Sequence, residues 1–219
     1  MIRRIALLHT VVFLADMFRK LFQEKLPGIE SFHMVDEGII QKLMEAGGLT
    51  PWIVRRIASQ VGLAADTGAD LILFTCSSTS PAVDTVRPMV NIPIVKIDDP
   101  LAEKAVNLGS KIGVVTTVKS TVKPSVDLIQ SYATKMGKKV RVQSKLATDA
   151  FQARLGGDIK KHDRIVKNSI MKLAGESDVI VLAQASMAHL AEEMKPRLDI
   201  PILASPLLCI ASLKSMVEI

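Results

Sequence analysis

The stretch Leu71 to Val83, LILFTCSSTSPAV, sets one thiol, Cys76, directly after an apolar run and ahead of the hydroxyls of Ser77, Ser78, Thr79 and Ser80. A cysteine there has three possible uses: nucleophile, acid/base, or small buried side chain. A thiol with a free pKa of ~8.5 becomes a usable base when the unpaired N–H groups of a helix start lie beside it. Neighbouring hydroxyls suit the oxygens of an anionic intermediate. Cys209, within PILASPLLCIASL, lies in an apolar helix pattern and reads as core. No CxxC pair or Cys/His ligand spacing occurs, so neither a metal nor a disulfide framework is predicted.

The elements that must hold such a thiol are legible as an alternation. Apolar runs predict strands at Ile5–Leu8, Leu71–Phe74, Ile94–Ile97, Ile112–Val115, Val140–Gln143, Val179–Leu182 and Ile202–Ala204, with another near Ser31–Val35. Between them, Leu14, Met17, Phe18, Leu21 and Phe22 keep helical spacing, and TPWIVRRIASQVGLAA opens with an N-cap Thr50 and first-turn Pro51. Helices are also expected over Val122–Met136 before Gly137 and Asp158–Ala174 before Gly175. The fold class is therefore α/β, a parallel sheet architecture covered by helices.

An internal repeat refines this. ADLILFTCSST (69–79) matches SDVIVLAQASM (177–187), and NIPIV (91–95) matches DIPIL (199–203), both at an offset of 108 (177 − 69 and 199 − 91). RRIALLHT (3–10) matches SKIGVVTT (110–117) at 107 (110 − 3). The expectation is two duplicated parallel-sheet α/β units, 1–98 and 99–205, related by a pseudo-two-fold axis, with the active site in the cleft between them. Ligands of such units meet the carboxyl ends of strands. Those ends carry His9 and Thr10, Cys76 with Ser77 and Ser78, Thr116 and Thr117, and Gln184 with Ala185 and Ser186. The 108 offset equates Cys76 with Gln184. His9 is weighed as a substrate contact, a second acid or a structural residue, Thr79 as a helix cap, and His162 as a surface residue of a basic helix.

Composition narrows the function classes. The 219 residues are 48% hydrophobic and 23% charged, with one Trp and one Tyr, so a folded aliphatic core is expected. The net charge of +6 is concentrated in residues 135–145 and 159–172 without aromatic interleaving, which favours a solvated helix face over nucleic-acid binding. Without a ~20-residue apolar span or a secretory pattern, a cytoplasmic protein with no membrane partner is predicted.

In their order and spacing, the strand ending in a polar pair, FTCSSTS, KIGVVTTVKST and VIVLAQASM together resemble the aspartate/glutamate racemase family, which includes hydantoin racemases, maleate isomerases and arylmalonate decarboxylases. The resemblance implies chemistry at the α-carbon of an amino acid or small carboxylate without pyridoxal phosphate or metal. It also implies a C-terminal helix, 206–219, packed on the first unit, and a homodimer, to which an apolar face around VVFLADMFRKLF would contribute. In the two-base members a cysteine from each half faces the α-carbon. By position Cys76 matches the first, and Gln184 occupies the place of the second. The resemblance thus implies Cys76 and Gln184 as the catalytic pair of positions, with His9, Thr10, Ser77, Ser78, Thr116, Thr117, Ala185 and Ser186 around the substrate. An amide cannot exchange protons with carbon, so a single-thiol racemase or isomerase, a decarboxylase, and a non-catalytic carboxylate-binding protein all stay open.

Overall fold

The computed structural model describes residues 1–217, which divide into two compact units: Met1–Ile97 together with the chain from Pro206 onward, and Asp98–Ser205. The first unit runs β1 (Arg4–His9), α1 (Val12–Lys25), β2 (Glu30–Val35), α2 (Glu37–Ala46), α3 (Pro51–Asp66), β3 (Leu71–Phe74), α4 (Pro81–Val86) and β4 (Ile94–Lys96). Its sheet is parallel in the order β2-β1-β3-β4. The second unit runs α5 (Asp99–Leu108), β5 (Lys111–Thr116), α6 (Lys119–Lys135), β6 (Arg141–Leu146), α7 (Ala150–Leu155), α8 (Ile159–Ala174), β7 (Val179–Leu182), α9 (His189–Met194) and β8 (Ile202–Ala204). Its parallel sheet has the same order, β6-β5-β7-β8. A last helix, α10 (Ser205–Val217), carries Cys209, Ile210 and Leu213 fully inward. Among the described residues no helix is long and apolar enough to cross a membrane.

The strands form where the apolar runs lie because the central strands are covered on both faces. Leu71–Phe74 and Val179–Leu182 are buried at every position. The edge strand β6 departs from its expected bounds: its residues are exposed or half-buried, so no apolar run marks its extension to Leu146. The α3 start is as its sequence predicts, with Thr50 Oγ1 accepting from the N–H of Ile53 at 3.4 Å and Pro51 in the first turn. α2, not anticipated, is fixed by Asp36, which accepts from the N–H of Gly38 at 3.1 Å, and ends at Gly47 with φ of 72°.

One device recurs at the amino ends of both sheets. Asp70 Oδ2 accepts from the N–H groups of Arg3 and Arg4 at 2.7 and 2.9 Å, and Asp178 Oδ2 accepts from those of Ser110 and Lys111 at 2.8 Å each. These backbone donors hold both carboxyls below the usual carboxylate range. The pair stands at the 108 offset, so the duplication survives in hydrogen bonding as well as in apolar pattern.

In α1 Leu14, Ala15, Phe18 and Phe22 are buried, Val12 is 53% exposed, and Phe13, Met17 and Leu21 are half-buried. One sequence expectation is corrected. His162, expected on the surface of α8, is buried with Val166, Ile170 and Leu173, while Lys160, Lys161 and Lys172 face outward.

Gly113 in β5 has no room for a side chain, because an added Cβ would lie 2.6 Å from Ser177 Oγ and 2.7 Å from Ile180 Cδ1. Gly113→Ala is expected to cost about 1–3 kcal/mol through overpacking, read as a lower urea midpoint at an unchanged m-value. A midpoint equal to that of the native protein would contradict this packing.

Candidate active site

In each sheet the chain leaves the first strand to one side and returns on the other, so the switch of direction falls between β1 and β3 and between β5 and β7. Loops diverge there and leave strand ends open to a ligand. In the first unit Leu8 stands opposite Phe74, which brings His9 and Thr10 beside Thr75 and Cys76. Cys76 is 7% exposed and not in a disulfide. Its carbonyl accepts from the N–H of Thr79 at 3.3 Å and that of Ser77 from Ser80 at 3.4 Å, which starts a winding that continues into α4. The N–H groups of Cys76 and Ser77 have no backbone acceptor among the described residues. Ser77 and Ser78 are buried beside the thiol.

Thr79, expected to cap α4, does otherwise: its hydroxyl donates back to the Cys76 carbonyl at 3.4 Å. The N-cap is Ser80, whose side chain makes no capping bond and whose hydroxyl is buried without a partner. The helix start lies four residues beyond the thiol because the tight turns from Cys76 to Ser80 intervene.

His9 is 1% exposed and both ring nitrogens are engaged, Nδ1 with Thr75 Oγ1 at 2.8 Å and Nε2 with His33 Nδ1 at 2.9 Å. It packs against Phe18 and stacks on His33 with ring centroids 5.1 Å apart. The ring is thus not presented to a ligand, which corrects its expected place among the substrate contacts. Burial, the neighbouring His33 and Arg19 lower its pKa from 6.5 to about 3. His33 is shifted down as well, chiefly by burial. His33 was not legible as a functional position; its one sequence signal is its place in the β2 segment, two residues before Val35, the register partner of His9.

In the second unit Val115 stands opposite Leu182, so Thr116 and Thr117 adjoin Ala183 and Gln184. Gln184 Oε1 accepts from both the N–H of Thr117 and its hydroxyl, the latter at 2.8 Å. With the oxygen engaged twice, the amide orientation is fixed and Nε2 carries two N–H donors away from Thr117. Ala185–Met187 form a short 3₁₀ turn, in which Ala185 offers no polar side-chain atom. The hydroxyls of Thr116 and Ser186 are buried without a protein partner. Buried hydroxyls are usually paired, so each of these two has capacity for a further hydrogen bond. Farther off, Asp163 Oδ1 accepts from His162 Nδ1 at 2.8 Å and His189 Nε2 at 2.9 Å, a cluster the sequence did not signal.

A parallel α/β unit, repeated, with a thiol at one switch point and an amide at the equivalent one, defines a class of duplicated two-unit α/β folds. The sequence match is specific within that class: residues 13–213 fit the Asp/Glu/Hydantoin racemase family, and the chain belongs to it. No curated protein matches the sequence significantly. Among solved structures, a glutamate racemase of Francisella tularensis in complex with D-glutamate is 15% identical with a TM-score of 0.78, over 99% of this chain and 81% of that one. An aspartate racemase of Picrophilus torridus is 14% identical with a TM-score of 0.73, covering 99% and 94%. An allantoin racemase of Pseudomonas fluorescens is 17% identical with a TM-score of 0.60, covering 98% and 91%.

The two cysteines differ in access, 7% against 0%. Iodoacetamide is expected to modify Cys76 at least ~10-fold faster than Cys209 in the native protein. Equal rates would mean that Cys76 is closed off as a core side chain.

His9 also contributes to an acid limb of stability, together with His33 and His162, whose pKa values burial lowers as well. The unfolded chain takes up its imidazole proton near 6.5 and the folded chain only near 3, so its contribution is complete above pH 6.5 and lost as pH falls through that window. Between pH 6.5 and 5, where most carboxylates stay ionised, His9 contributes a slope of at most about 1.4 kcal/mol per pH unit. Urea midpoints across this range should flatten in His9→Asn; an unchanged slope would assign the acid limb elsewhere.

Proposed function

We propose that the protein moves a proton at the α-carbon of an amino acid or small carboxylate, with Cys76 as the acid/base and no bound cofactor. The observation that carries this is Cys76 itself, a nearly buried thiol at a switch-point strand end, in a chain of the racemase family. In the reaction the α C–H bond breaks, the proton passes to Sγ of the thiolate, and the electron pair spreads into the adjacent carboxyl group. Return of the proton from Sγ reverses the step. The developing negative charge on the carboxyl oxygens needs donors already in place. The N–H groups of Cys76 and Ser77, which have no backbone acceptor among the described residues, and the hydroxyls of Ser77 and Ser78 are the groups we assign to that task. Thr10 borders the thiol, and Thr117 with Gln184 and Ala185 borders the second strand end.

Proton transfer is one-sided in this reading. Gln184 holds the position equivalent to Cys76, its oxygen is committed to Thr117, and an amide neither donates to nor accepts from carbon. A single thiol removes and returns the proton on one face. The same inventory suits decarboxylation or isomerisation of a small carboxylate, each of which needs one proton donor.

In deuterated water, with a panel of amino acids, hydantoins and dicarboxylic acids, we expect α-hydrogen exchange to outrun loss of optical activity. Cys76→Ala should reduce exchange at least ~100-fold. Racemisation as fast as exchange would overturn the one-sided mechanism. Saturable ligand stabilisation with no exchange and no product would replace the enzyme reading by a binding protein.

A further inference from the structure

The bonds around His9 fix its Nδ1 proton, and burial keeps the ring neutral. Thr75 has one hydroxyl proton, and its Oγ1 stands 2.8 Å from the Leu8 carbonyl, which can only accept. Thr75 therefore donates to Leu8 and accepts from His9, so His9 Nδ1 carries the proton. In the neutral ring Nε2 is then an acceptor, and the proton in the 2.9 Å contact belongs to His33 Nδ1. The chain ends on His33 Nε2, a buried nitrogen with no partner. The bonds run from β2 through β1 to the residue after β3, and Thr75 is held to β1 a second time by its N–H on Leu8 at 3.1 Å.

The second unit repeats the main-chain bond, with the N–H of Ala183 on Val115 at 3.0 Å, but uses other side chains. Thr116 and Ala183 occupy the places of His9 and Thr75, and they cannot make the bond: Ala183 has no polar side-chain atom and the Thr116 hydroxyl is unpartnered. Gln184 makes the tie instead, through Thr117. One residue serves as the cross-strand clamp, and its side-chain oxygen is committed to it. In the first unit the clamp sits one residue earlier and leaves position 76 unencumbered.

We infer that His9, held in its Nδ1–H form by His33, is a positioning residue that ties β1 to Thr75 and so frees and aims the Cys76 thiol. The geometric part stands on the hydrogen bonds alone; the catalytic consequence rests on the proposed role of Cys76. His33 Nδ1 is the element that keeps His9 Nε2 from rotating away, and Thr75 Oγ1 is the point at which the tie meets the thiol's backbone.

Three measurements test this on the full chain. Nitrogen shifts of the imidazoles in ¹⁵N-histidine-labelled protein at neutral pH should give Nδ1–H for both His9 and His33; an Nε2–H form of His9 overturns the assignment. Thr75→Val, which keeps the side-chain shape, and His33→Leu should each raise iodoacetamide modification of Cys76 about tenfold with Cys209 unchanged, because loosening is confined to the strand end. The double variant should go no further than either alone. His33→Asn, which retains a donor near the Nδ1 position, should restore the native rate. Unchanged Cys76 modification, or equal rises at both cysteines, overturns the positioning role. With a substrate in hand, the loosened variants should lower kcat for exchange about tenfold or more with little change in KM. If the native protein exchanges nothing while the spectral and alkylation results hold, the tie stands and the catalytic reading falls.

Discussion

Parallel strands end in backbone groups that the ladder no longer pairs, and at a switch point the loops diverge, so the main-chain ties between the central strands end with the N–H of Thr75 on Leu8 and that of Ala183 on Val115, and the residues beyond need a further constraint. A side chain that reaches from one strand end to the other supplies that constraint. In the first unit it is the His33, His9, Thr75 series; in the second it is Gln184 on Thr117. Where the clamp sits decides which strand-end atoms are already engaged: both ring nitrogens of His9 in the first unit and Oε1 of Gln184 in the second.

The two units are the same scaffold with different endings. At their amino ends Asp70 and Asp178 bind two successive N–H groups in the same way, and the central strands share order and register. At their carboxyl ends the equivalent positions differ in chemistry. A thiol in one unit corresponds to an amide in the other, and an imidazole stands where the other unit has a threonine. A duplicated sheet tolerates this because stability comes from the covered strands, whereas the residues just past them contribute little to the core.

Burial explains why the imidazoles suit the clamp. Desolvation keeps His9 neutral, and a neutral ring offers one donor and one acceptor, which is what a cross-strand series needs. A charged ring would offer two donors and reverse the bond, with His33 Nδ1 then the acceptor. The stacked pair and Phe18 form a dry side to the strand end from which Cys76 departs.

The sequence by itself determined the α/β class, the strand positions, the duplication and the identity of the strand-end residues, because apolar runs, helix caps and a constant repeat offset are local signals that survive in one dimension. Leu71–Phe74, Val179–Leu182 and the Thr50 cap are cases in which local pattern and tertiary environment agree. It did not determine β6 past Gln143, an edge strand without an apolar run, nor the burial of His162, whose basic neighbours point the other way on the helix. Only the tertiary structure decided what His9, Thr79 and Gln184 do. Each is a polar residue whose role depends on the partner its side chain finds: His33 from a neighbouring strand, the Cys76 carbonyl three residues back, and Thr117, 67 residues away. Hydrogen bonds between distant residues leave no periodicity in the chain, so the clamp that leaves Cys76 free became visible only once the strands were side by side.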